Sequence, residues 1–133
     1  MNWAKTILAG VVGGIVLTLV NYVMHGLIMA ETYTKYAVFS QEQGNPAHFF
    51  LVGICTAVMA ALLFAKSRAS WAEGLVGGAA FGFFLGLAFF FVPFYNPIVL
   101  EGFPYYLSWC WGGIDLIGYT ILGAVLGLMM KRT

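Results

Sequence analysis

Charge is what this chain has least of. Only 8% of its 133 residues are Asp, Glu, Lys or Arg, and six basic against five acidic side chains leave a formal net charge of +1. That balance excludes a basic field able to hold nucleic acid, and equally an acidic tail. Cysteine is scarce as well. Cys55 and Cys110 show neither CxxC spacing nor a metal-finger pattern, so both are read as small apolar fillers. HExxH, GxSxG and phosphate-binding glycine loops are all missing. No residue set asks for an enzyme, and neither metal nor cofactor is expected.

What the chain has in excess is apolar surface: 62% of residues are hydrophobic, 17% are aromatic and the mean hydropathy is +0.91. A water-soluble fold cannot carry that composition. Four apolar stretches, about 4–29, 47–65, 71–94 and 105–130, approach the roughly 20 residues that cross about 30 Å of hydrocarbon at 1.5 Å each. The expectation is an all-α, four-helix transmembrane bundle in one integral membrane domain, 1–133. The first stretch has no small-residue cleavage site, so it is expected to stay as a span.

Lys5, Lys66, Arg68, Lys131 and Arg132 fall at the termini and the middle loop, whereas Lys35 alone falls in the other two loops. This five-to-one distribution predicts that both termini are cytoplasmic. Glu31, Glu42 and Glu101 lie in the outer loops as solvated carboxylates, and Glu73 follows Ser70 at capping-box spacing. The outer loops hold Tyr33, Tyr36, Phe39, Gly44 and Pro46, then Pro93, Tyr95, Pro97 and Pro104, with Trp109 and Trp111 just beyond. Prolines break the helices there, and the rings suit a half-wetted membrane boundary. The inner turn 66–70 is short, which predicts that the second and third spans are neighbours.

Gly74, Gly78, Gly82 and Gly86 recur every four residues and lay a stripe of bare backbone along the third span. Phe84 and Phe91 point away from it. The second span has Gly53, Ala57, Ala61 and Ala65, the first Gly10 and Gly14, and the fourth Gly123 and Gly127. Lipid is as apolar as leucine, so small faces that admit close van der Waals contact are what hold such helices together. The stripes serve either packing within the bundle or contact with a second copy or another membrane subunit. Setting Trp3 on Trp71 also superposes Gly10 and Gly14 on Gly78 and Gly82, a weak echo of a duplicated hairpin.

Polar residues inside the spans are few and ordered. Gly14, Thr18, Asn21 and His25 share one face of the first span, and Ser108, Trp111, Asp115 and Tyr119 one face of the fourth. A carboxylate at membrane depth costs about 2.5–3.5 kcal/mol or more, so Asp115 must be protonated, paired or facing water. The candidate binding residues are Asn21, His25, Asp115 and Tyr119, joined by His48, with an imidazole sharing a proton with the carboxylate. Such a cluster either fixes helix register or lines a proton or solute path. Two histidines on adjacent spans also raise a haem or chlorophyll ligand reading.

The segments NYVMHGLIMAETYTKY and GGIDLIGYTILGAVLGLMMKR resemble the ends of small four-helix bacterial inner-membrane proteins, with an aromatic first outer loop, an acid in the last span and a glycine-rich basic terminus. The resemblance implies that layout and a place in the bacterial cytoplasmic membrane, and no activity. Small multidrug exporters share the size, but their essential carboxylate lies in the first span, where this chain has none. The sequence therefore reads as a non-enzymatic accessory or assembly component that meets lipid, copies of itself or other membrane subunits. A small transporter or channel built around Asp115 and His25 is the second reading.

Overall fold

The computed structural model describes residues 1–39 and 45–132; Glu42 and Gly44 of the first loop lie outside them. Among the described residues every regular element is helical, and four helical stretches are long and apolar enough to cross a membrane: Trp3–Ile28, Ala47–Lys66, Gly74–Val99 and Tyr105–Met129. This is the layout of a multi-pass membrane protein.

Helix α1 (Trp3–Asn21) starts where the Asn2 side chain accepts the Lys5 backbone N–H at 3.1 Å. It runs into a π-helical segment, Tyr22–Ile28, that the apolar pattern gave no sign of. The short α2 (Ala30–Thr34) follows. Helices α3 (Ala47–Lys66) and α6 (Tyr105–Met129) each begin directly after a proline, Pro46 and Pro104, which ends the preceding loop. The third span is composite: α4 (Gly74–Phe90) gives way to a 3-10 turn at Pro93 and then to α5 (Asn96–Val99). The buried Ser108 hydroxyl donates to the Pro93 carbonyl at 3.0 Å and ties that break to α6.

The chain makes two antiparallel hairpins, α1 with α3 and α4 with α6, and the hairpins meet chiefly where α1 packs on α6. The order across the bundle is thus α3, α1, α6, α4. The short turn between α3 and α4 does not make those helices neighbours along their length, contrary to its expected effect. They meet at the end that holds the turn and the C-terminal tail, where the Phe64 and Phe81 rings lie 4.9 Å apart. A core of Ala9, Ala57, Ala61, Leu122 and Leu126 fills the space beside these rings. At the opposite, loop end the helices separate, and residues 47–52 of α3 are exposed on every face.

Small residues set the close contacts. A Cβ on Gly78 would stand 2.1 Å from the Gly123 carbonyl and 2.6 Å from Gly127 Cα, and one on Gly82 2.0 Å from the Tyr119 carbonyl. Gly86 meets Leu116, and across the other hairpin Gly10 meets Val58 and Gly14 meets Ile54. Gly53 lies against Thr18, whose hydroxyl donates to the Gly14 carbonyl at 2.8 Å. The superposed pairs Gly10/Gly78 and Gly14/Gly82 therefore do the same work in each hairpin, seating the second helix on the first. Gly74 departs from its stripe: nothing lies near its Cβ position, and its φ of +74° is a conformation that glycine alone adopts freely. Phe84 and Phe91 are exposed, as expected.

Arg68 closes the end that holds the termini. It is buried over the Phe64 ring, donates from Nε to the Met130 carbonyl at 2.8 Å, and from Nη1 to the Trp71 and Ala72 carbonyls. Glu73 does not form the expected capping box. Its carboxylate accepts the Arg132 backbone N–H at 2.6 Å and faces Arg68 at 3.6 Å, holding the C-terminal tail to the turn.

Candidate functional site

The wide π-helical turn carries His25 toward α6 at the loop end. There His25 Nδ1 is hydrogen-bonded to the Tyr33 hydroxyl, and Trp111 Nε1 donates to the same oxygen at 2.7 Å. An indole N–H can only donate, so the Tyr33 oxygen accepts from Trp111 and its own proton is free to go to His25 Nδ1. Neutral His25 then carries its hydrogen on Nε2. The rings interlock: His25 stands edge-on to Trp111 at 5.7 Å, and Phe39 packs at 4.9 Å from Tyr33 and 5.7 Å from Phe103. Burial pushes the Tyr33 phenol up to about 12, with the Trp111 hydrogen bond pulling the other way. Nearby, the Tyr36 and Tyr106 hydroxyls pair at 2.8 Å.

One helical turn from Trp111, Asp115 lies on the ridge of α6 that also carries Ser108 and Leu122, seven residues away on either side and both fully buried. The carboxylate therefore points into the bundle, yet it is only half-buried and has no hydrogen-bond or ion-pair partner among the described residues. Tyr119 lies one turn on along α6, and Asn21 meets the same helix at Gly118. The absence of a side chain at Gly118 lets Asn21 come close: a Cβ there would meet Leu17 at 3.1 Å and Asn21 Oδ1 at 3.7 Å. Tyr119 stacks on Phe89 of α4 at 5.0 Å.

No family model matches the chain, and no curated protein or solved structure matches it either. The chemistry must be read from the geometry alone.

The expected cluster is thus brought together in part. Asn21, Asp115 and Tyr119 are each half-buried, the first on α1 and the other two one turn apart on α6. His25 sits above them, but its partner is Tyr33 rather than Asp115, because the π turn aims the ring at the loop. His48 does not join: its side chain is exposed at the free end of α3 and makes no hydrogen bond among the described residues. Tyr33 is expected from the sequence only as one of the outer-loop rings at the membrane boundary, with no partner assigned. Its signal is a phenol three residues from Tyr36 in the loop, which does not reveal a partner 78 positions away. Two shallow grooves of about 340 and 310 Å³ lie elsewhere, one along the end of α4, the 3-10 turn and α5, the other between α4 and α6, and Asp115 lines neither.

Proposed function

We propose that this is a non-enzymatic protein of the bacterial cytoplasmic membrane, with both termini cytoplasmic, that binds or conducts a small solute at Asp115. The solute class is one bearing a positive charge or several hydrogen-bond donors, a proton included. One contrast carries the reading. Arg68 is buried and has its charge met by three carbonyls and, at 3.6 Å, Glu73, whereas the half-buried Asp115 has no hydrogen-bond or ion-pair partner among the described residues. A carboxylate held at such cost with open valences suits a ligand that supplies the missing donors. Asn21 Oδ1 offers a second acceptor on the facing helix, and Tyr119 a hydroxyl.

The test is Asp115→Asn in proteoliposomes holding a pH-sensitive dye, with the folded state checked by circular dichroism and gel filtration. Loss of proton or cation flux by tenfold or more in a folded variant supports the assignment, while flux equal to the wild type's eliminates it.

An assembly role is the second reading, and the loop half of α3 favours it, since residues 47–52 are exposed among the described residues. The glycine stripes lend it little, because Gly78, Gly82, Gly86, Gly123 and Gly127 are filled within the bundle. Native mass spectrometry in mild detergent distinguishes a monomer from a stable oligomer or complex.

A further inference from the structure

We propose that residues 30–39 form a lid over the Asp115 site, latched by the His25–Tyr33–Trp111 hydrogen bonds. The proposal takes its purpose from the solute-site reading above, though its test does not depend on it. Three observations support it.

Among the described residues the segment is held to α6 by side chains. Tyr33 bonds Trp111, Tyr36 bonds Tyr106, and Phe39 packs on Trp111 and Phe103, while the backbone hydrogen bonds of the segment are local, such as Tyr33 N–H to Met29 O and Phe39 N–H to Tyr36 O. Lifting it would break no backbone hydrogen bond to a span. The five-residue α2 is also far too short to be stable alone, so its position depends on those side-chain ties.

The hinge is the π-helical segment Tyr22–Ile28 with the break at Met29. A π turn holds one residue more than an α-helical turn should and persists only where surrounding contacts favour it. Here the His25–Tyr33 bond is such a contact, with His25 on the π segment and Tyr33 on the lid. Opening the latch and relaxing the turn are therefore coupled.

The covered site is Asp115, four residues and one turn below Trp111 on α6. Trp111 is shared: it donates to the lid through Nε1 while its helix presents the carboxylate beneath. Trp111 Nε1 can only donate, so the Tyr33 oxygen accepts from it and joins α6 to His25 on the π segment.

The test uses the full chain in nanodiscs, with Cys55 and Cys110 replaced by serine and Asp115→Cys as reporter, labelled with a membrane-impermeant maleimide. Tyr33→Phe removes both hydrogen bonds and keeps the ring, and Trp111→Phe removes the donor alone. Each is expected to raise the labelling rate by roughly tenfold, the factor associated with losing about one net hydrogen bond. Unchanged or slower labelling in both overturns the lid. Hydrogen exchange on the unmodified protein gives an independent check should either variant misfold. Amides of Ala30–Thr34 are expected to exchange at least a hundredfold faster than those of α6 around Asp115, and equal protection overturns the lid. If labelling accelerates while Asp115→Asn leaves flux intact, the solute reading fails and the lid stands. If flux is lost but labelling is unmoved, the reverse holds.

Discussion

Tyr33 is the residue at which loop and span meet, and its ionisation should report that contact. Burial raises the phenol to about 12, above its ordinary value of about 10. Because the folded value is the higher one, the stabilisation from burying the neutral phenol is complete below about pH 10 and is lost as pH rises from about 10 to about 12. The phenolate absorbance that appears near pH 12 should therefore be smaller in Tyr33→Phe than in the wild type, and the lid should loosen over the same interval. Were the two titration curves to superimpose, Tyr33 would not be buried against Trp111. Asp115 belongs to the same scale. Its depth and solitude were legible from the sequence, since it is the one acid within a span, but its lack of a partner was not, because His25 was free on paper to choose between it and Tyr33.

Among the elements, α4 and α6 show what the glycines are for. The carbonyls of one helix occupy the Cβ positions of the other, so a methyl at Gly78 has no room unless two backbones part. Gly78→Ala should lower the thermal midpoint of the detergent-solubilised protein substantially, at a cost of about 2 kcal/mol or more in lost close packing. Gly113→Ala, on the partner helix α6, is the control. Nothing lies within 4 Å of its Cβ position, so alanine there should be neutral or stabilising by up to about 1 kcal/mol. Similar losses at both sites would mean that helix flexibility, not contact, sets stability. The spacing of four made Gly78, Gly82 and Gly86 readable as one face, and only the structure showed which helix fills it. It also removed Gly74 from the set, whose requirement is a positive φ at a helix start, and added Gly77, whose Cβ would collide with the Ala72 carbonyl.

For the whole molecule the uneven closure is what matters. Phe64, Phe81, Arg68 and the C-terminal tail bring α3 and α4 together at one end, while at the other end residues 47–52 of α3 are exposed. Spin labels at the exposed positions Leu63 and Val76 should give a narrow distance distribution, and labels at Val52 and Val92 a longer and broader one. Two equally narrow distributions would show a bundle closed along its length, leaving solutes no route between α3 and α4.

The membrane setting, the number of spans and their approximate limits followed from the sequence by itself, because length and hydropathy along one helix are local quantities, and hydrocarbon allows a helix few alternatives. The faces that are small or polar followed as well, from periodicity alone. Only the tertiary structure decided that the hairpins pair 1–2 and 3–4, that the short turn does not make neighbours of the helices it joins, and that His25 turns to Tyr33 and leaves Asp115 open. Each of those outcomes is a choice among partners far apart in the chain, and such choices are settled by which side chains and carbonyls fit one another in space.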